Sequence, residues 1–400
     1  MDLIQKSKGI MVGLACGDAL GALVEFMPKD FLNMVIEIKD MAPPLPLETL
    51  INQANSETTL NRIQRYIDFM CLPGLYTDDT QQAILIGQSL VVNQGVNQEY
   101  IAKLFVKGFK SKEYGEGGVF RHAGPGFKES INNIMRFKPL NMCGAISAGN
   151  GAAMRIAPVG IYYRDDVDKL LKATIDISLI THRDIRGIAA AGIIAFTIAY
   201  LINKSWESLN ISHLLSELKI FTKELEETIA GNYPTVNYTL DTKHQVSDSI
   251  TVLEEIQSLD LQAAIPILDE WARKTSGSDS CYHNSAFALG SVLYSLYLFT
   301  TLGLNWEKAV LTAVNGGGDA DTIAAMLGAM CGAIHGYESI PANWVQKLMN
   351  RESIEILSRA LITLELPSTD FINIEKQLCK KELEYRNYYR QLLHKSLGFS

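Results

Sequence analysis

Two clusters of hard oxygen donors could do chemistry in this chain. The first is Thr77-Asp78-Asp79-Thr80, which follows a Pro73-Gly74 turn and opens an apolar pattern through Ala83, Ile84, Ile86 and Leu90. The second is Asp319, Asp321 and Thr322, which follow Gly316, Gly317 and Gly318 and lead into Ile323, Met326, Leu327, Met330 and Ile334 at helical spacing. Residues i and i+2 of a regular helix point about 200° apart. Asp319 and Asp321 therefore converge only if the glycines, which tolerate φ > 0, hold a turn at the helix start. Neighbouring carboxylates repel, so each cluster is costly unless a cation or a helix N-terminus offsets it. Capping needs one acid per helix start, and here each start carries two. The clusters lie about 240 residues apart and are both predicted at turn-to-helix junctions. Their donor set suits Mg²⁺, Mn²⁺ or Ca²⁺, since zinc more often recruits Cys or His. The second cluster is no EF-hand loop, because Ala324 and Met330 stand where that loop needs Gly and a bidentate Glu.

Several elements must position these donors. A first helix is predicted over 8–24, with Gly9, Gly13, Gly17 and Gly21 on one face for close packing against another helix. Glu25 follows at its end, where the local pattern reads as a solvated acid. Residues 41–70 form a proline-rich insertion ending in a short helix near 60–70. A loop with Gly115, Gly117 and Gly118 could present backbone amides to phosphate. In 144–163, small residues leave the main chain open to a ligand; Asn150 can donate and accept. Arg155 either meets a phosphate or carboxylate or forms a structural ion pair. His182 precedes an uncharged run of 17 residues, read as a buried core helix rather than a membrane span. Residues 205–265 turn polar and predict two or so amphipathic surface helices. The tail, 367–400, reads as a charged amphipathic helix that either docks on the body or offers a partner surface.

Composition narrows the function classes. At 47% hydrophobic and 20% charged, 400 residues can bury a large core. A net charge of −8 argues against nucleic acid or anionic membrane as a general partner. Six cysteines without a CxxC fit free thiols in a reducing, cytoplasmic setting. There is no GxxxxGK[ST], so a P-loop NTPase is excluded. Few strand patterns appear. The expected fold is all-α: a compact orthogonal helical bundle over 1–366 with insertions at 41–70 and 205–265, then a helical extension over 367–400.

The segments GLACGDALGALVE, YTDDTQQAI, GNGAAMRIAPVGI, TH before an Ala/Gly-rich helix, and NGGGDADTIAAMLGAMCGAIHG occur in an order that resembles the ADP-ribosylglycohydrolase family. The resemblance spans residues 13–336. It implies an all-helical hydrolase with a binuclear Mg²⁺ or Mn²⁺ centre in a cleft. By that resemblance Thr77, Asp78, Asp79, Asp319, Asp321 and Thr322 are the metal ligands. Asn150, Gly151, Met154, Arg155, His182, the loop at Gly115, Gly117 and Gly118, and Gly317 and Gly318 line the ADP-ribose site. Glu25 matches an acid over the metals, so Glu25 or a metal-bound aspartate such as Asp79 is the expected acid–base group. The implied reaction releases ADP-ribose from a modified acceptor, foremost a protein side chain. The alternative is an inactive ADP-ribose-binding or structural relative, against which the complete ligand set argues. NMCGAISA, just before GNGAAMR, carries no acid, which weighs against arginine as the acceptor.

Overall fold

In the computed structural model of the chain, residues 2–27, 37–43, 49, 57–239 and 241–396 are described. Residues 44–48 and 50–56 of the insertion expected at 41–70 fall outside them, and its expected short helix is Glu57–Phe69. Among the described residues there are α-helices, short 3₁₀ turns and three isolated β-bridges, with no β-sheet. The all-α expectation holds.

Two antiparallel helices form the axis. The first, Leu3–Gly21, begins and ends earlier than the apolar run suggests, and residues 22–26 form a turn. The second is Ala320–His335. Added Cβ atoms show how close they are: at Gly17 one would sit 2.0 Å from the Ala324 carbonyl oxygen, and at Gly332 one would sit 2.0 Å from that of Gly9. Gly13 faces Gly328, and Gly21 faces Ala320. The four-residue glycine spacing thus lets two backbones touch from Gly9 to Gly21, more than three turns of the first helix. This register brings the end of the first helix, and Glu25 just beyond it, to the start of the second, where Asp319 and Asp321 stand.

Other helices enclose this pair. Ile185–Leu201 is almost wholly buried, as its lack of charge predicts. Ala288–Leu302 is buried along most of its length. The polar region forms Ile211–Asn232 and Gln245–Ile256, followed by Leu261–Ser276. Each buries an apolar stripe, and Glu226, buried, caps the second by accepting from the Val246 and Ser247 amides. Among the described residues no helix is long and apolar enough to cross a membrane. All six cysteines are free.

The final helix, Phe371–Ser396, docks on the body. Phe371, Ile372, Leu378, Cys379 and Leu393 are buried. Arg386 donates to the Met70 carbonyl at 2.9 Å, and Arg390 pairs with Asp68 at 2.8 Å. Of the two readings of the tail, docking is the one realised by this face.

Candidate active site

The helix Asp78–Asn93 starts against the axis pair. Its capping is complete without Asp78 or Asp79. The Thr77 hydroxyl accepts from the Asp79 amide. Asp18, from the first helix, accepts from the Thr77 amide at 2.8 Å, the Thr80 amide at 3.0 Å and the Thr80 hydroxyl at 2.6 Å. Asp78 and Asp79 are therefore free for another task. The second cluster behaves alike: Asp319 occupies the N-cap position of Ala320–His335 yet makes no side-chain cap hydrogen bond.

The turn before Asp319 is built by two glycines. Gly317 and Gly318 have φ of 67° and 70°, while Gly316, at −71°, does not need the freedom expected of it. A Cβ at Gly318 would stand 2.1 Å from the Asn284 carbonyl oxygen, which accepts the Asp319 amide at 2.8 Å. The Gly318 carbonyl in turn accepts the Phe26 amide at 2.9 Å. One turn thus aims Asp319 and anchors the segment that carries Glu25.

These elements bring both clusters together. One carboxylate oxygen from each of Glu25, Asp319 and Asp321 lies within 4.8 Å of the others. The Thr77 hydroxyl donates to Asp321 at 3.4 Å, which joins the two clusters. Thr322 hydrogen-bonds Asp79. Asp79 Oδ2 and Asp321 Oδ1 are buried and have no hydrogen-bond partner. A buried carboxylate oxygen normally finds a donor, so two orphans facing one cluster indicate a missing positive ligand. Hard oxygen donors converging at this spacing fit a divalent cation of the Mg²⁺ class. Asp78, Asp79, Asp319, Asp321 and Thr322 are all at most 5% exposed.

The electrostatics agree. Burial, then Glu25 and Asp18, push Asp78 up to about 8. Burial and Glu25 push Asp319 up to about 7. Asp79 and Asp321 stand well above the carboxylate range, chiefly through burial and then through neighbouring acids. With no cation to offset them, the carboxyls hold protons near neutrality.

A ring of amides and cations orients these acids. Gln82 donates to Asp78 and accepts from Arg155, which also donates to the Thr181 hydroxyl. Of the two readings left open for Arg155, ligand contact or a structural role, its surroundings favour the structural one: it is 1% exposed and linked to Asp78 through Gln82. Thr181 passes the contact to His182 Nδ1 at 2.8 Å. Burial and then Arg155 lower His182 to about 3, so its imidazole is neutral. Its other ring edge faces Gly149 and Gly151, where a Cβ on Gly151 would meet it at 3.0 Å. Asn150 donates to Asp319 and to the Ser291 hydroxyl. β-Bridges from Ala145 to His182 and from Gly149 to Phe287 hold this wall. Met154 packs behind it, its amide donating to the Asn150 carbonyl. Gly117 and Gly118 pack on Phe120 and on the Gly108–Phe109 backbone, with Gly115 open beside them; no contact among these ties them to the acids.

Sequence reasoning missed four residues. Asp18 is an acid inside an apolar helix, and that burial in itself was a signal. Gln81 and Gln82 follow the acids on one helix. His122, in the left-handed region at φ 58°, hydrogen-bonds Glu25 through Nδ1 and lies 3.4 Å from Cys71 Sγ through Nε2. Burial lowers His122, but Cys71 and Glu25 outweigh it and raise it well above the usual imidazole value.

Comparisons with known proteins give the family and the fold. Residues 1–369 match the family model described as ADP-ribosylglycohydrolase. The chain is 25% identical over 370 residues to the ADP-ribosylarginine hydrolase Tri1 of Serratia proteamaculans, covering 92% of this chain and 81% of that protein. It is 26% identical over 378 residues to the ADP-ribosylhydrolase ARH3 of Mus musculus, covering 90% and 91% respectively. A solved chain of an ADP-ribosylglycohydrolase-related protein complex shares the fold, with a TM-score of 0.57 and 22% identity over 91% of this chain and 99% of that one.

Proposed function

The chain belongs to the ADP-ribosylglycohydrolase family, and from that premise we propose that it hydrolyses the bond between C1″ of ADP-ribose and an acceptor side chain on a modified protein. The observation that carries the reading is the convergence of Glu25, Asp319 and Asp321, with buried oxygens on Asp321 and on Asp79 left without a donor. Thr77, Asp78, Asp79, Asp319, Asp321 and Thr322 would hold two Mg²⁺ or Mn²⁺ ions, which supply Lewis-acid polarisation of ribose hydroxyls and a more acidic water.

The chain's own residues do the rest. Breaking the C1″–acceptor bond develops oxocarbenium character at C1″. Carboxylates around that carbon favour the developing positive charge. The oxygen of water bonds to C1″, water loses a proton and the departing acceptor gains one. Glu25 stands at the mouth of the cluster to take or give that proton, and His122 fixes its orientation. Asp79 is the second acid suited to the role. Asn150 aims Asp319, and Gln82 with Arg155 aims Asp78. The neutral edge of His182 and the glycine wall at Gly149 and Gly151 suit a close-packed ligand without adding charge.

The name of the Serratia relative specifies ADP-ribosylarginine. In this chain the approach segment 141–147 has no acid to pair a guanidinium, and Met142 and Ile146 are exposed. A less basic acceptor fits that wall better. The test is a panel of substrates, each ADP-ribosylated through a different linkage, with Mg²⁺ and with Mn²⁺. Release of free ADP-ribose from at least one, lost in a folded Asp321→Ala variant, is the expected result. Tight ADP-ribose binding with no release from any linkage would identify a binding protein instead.

A further inference from the structure

A second buried carboxylate network lies directly behind the candidate active site. Its centre is Glu375, on the final helix, which begins beyond the residue 369 limit of the family match. The Glu375 side chain is 4% exposed. Its Oε1 accepts from the Tyr76 hydroxyl at 2.6 Å. Its Oε2 accepts from Arg121 Nη2 at 2.8 Å and from Gln81 Nε2 at 2.6 Å. Each of the three donors adjoins a residue of the site. Tyr76 precedes Thr77. Gln81 follows Thr80 on the same helix. Arg121 precedes His122, the partner of Glu25.

The donors are also tied to one another through the backbone. Arg121 Nε donates to the Tyr76 carbonyl at 2.7 Å, and the Arg121 amide donates to Gln81 Oε1 at 3.0 Å. The Arg121 carbonyl accepts the Asp78 amide at 3.0 Å. Gln81 Nε2 also donates to the Val119 carbonyl at 2.7 Å. One carboxylate therefore fixes two segments at once: the start of the Asp78 helix, and the 119–122 strap that presents His122. The charge of Glu375 is what lets one group accept from a guanidinium, an amide and a phenol together.

We propose that Glu375 is a positioning residue for the carboxylate site, so that the final helix is a working part of the active centre rather than an appendage. Outer partners of this kind set the aim of the residues that touch ligand, and their loss typically weakens affinity or activity about 10- to 100-fold. The proposal rests on the reaction assigned above for its kinetic consequence, but not for its structural one.

The experiment compares Glu375→Gln, Tyr76→Phe and Arg390→Ala in the full chain. Readouts are Mg²⁺ affinity by calorimetry, kcat and KM for ADP-ribose release, and hydrogen exchange at the Asp78 amide. Glu375→Gln keeps the shape but puts an amide against donors. It is expected to lower kcat and Mg²⁺ affinity at least tenfold, hold KM within twofold, and speed Asp78 exchange tenfold. Arg390→Ala cuts a surface pair of the same helix and should leave all four at wild-type values. A folded Glu375→Gln variant with wild-type kcat, Mg²⁺ affinity and exchange overturns the proposal. So do equal losses in Arg390→Ala, because the helix would then act only by docking. If Glu375→Gln does not fold, Tyr76→Phe decides, since it removes one arm without stranding Arg121. A several-fold loss of Mg²⁺ affinity there supports the proposal, and wild-type affinity overturns it. Wild-type protein that neither binds Mg²⁺ nor releases ADP-ribose sinks the assigned reaction instead, and Asp78 exchange in the two variants then judges Glu375 by itself.

Discussion

Two buried carboxylate groups meet at the start of the Asp78 helix and are built on opposite terms. Around Glu375 both oxygens are filled, by Tyr76, Gln81 and Arg121. Around Asp79 and Asp321, one oxygen of each has no donor at all. The protein satisfies both oxygens of a buried acid at Glu375, which Gln81 binds two residues along the helix from Asp79. An unfilled pair beside a filled one is what the proposed cation site requires.

The contrast gives opposite stability effects on neutralising each acid, and the largest test uses this. Asp321→Asn should lower ADP-ribose release on the order of a thousandfold, the scale of losing a dominant electrostatic group. At pH 8 without divalent cation the same variant should melt higher than wild type, because the folded state no longer has to keep a proton on a buried acid that ionises freely when unfolded. Glu375→Ala should melt lower, by about 3–5 kcal/mol, because Arg121 is left buried and unpaired. Thermal unfolding of both variants reads the difference; a lower melting point for Asp321→Asn would break the comparison. Next comes Glu25→Gln. It should cost about a hundredfold in kcat, as for loss of an acid–base group, with Mg²⁺ affinity changed far less than in Asp321→Asn. Equal losses of affinity in a calorimetric titration would make Glu25 chiefly a ligand. Gln82→Ala should lower kcat about tenfold by releasing Asp78 and stranding Arg155. Steady-state kinetics would contradict this by finding wild-type kcat.

A separate test is the pH dependence of the metal-free protein. Asp78 and Asp319 hold protons to about 8 and 7 when folded, but only to about 4 when unfolded. The folded state then binds more protons between those limits, so this contribution to stability falls as pH rises from about 4 to 8. Added Mg²⁺ should cancel much of that fall above pH 7. Melting curves across this range with and without the ion would detect it, and parallel curves would argue against raised carboxyls.

How much of this could be read from the chain follows from where each interaction lives. The two Thr/Asp clusters and the glycine run were legible because their chemistry is local: acids crowd within one turn, and only glycine serves at 317 and 318. The glycine spacing of the first helix signalled a close partner, but its register with Ala320–His335 needed the structure. Asp18 was visible as an acid in an apolar run, yet its cap lies 59 residues away at Thr77. His122 meets Glu25 across 97 residues, and nothing local distinguishes it from a loop histidine. Glu375 is one charge among many on an amphipathic helix, so its burial was invisible. Arg155 left two readings open, ligand contact or a structural role, and only the fold shows it buried on Gln82 and Thr181. Long-range side-chain contacts leave no periodic trace, whereas turns and helix starts do.

The central claim is that the orphaned carboxylates form a cation site. Calorimetric titration of Mg²⁺ into metal-free protein, repeated in buffers of different ionisation enthalpy, tests it most directly. The account predicts two ions bound per chain, with protons released on binding at neutral pH, and loss of binding in a folded Asp321→Ala variant. No binding at millimolar Mg²⁺ or Mn²⁺, or undiminished binding in that variant, would contradict it.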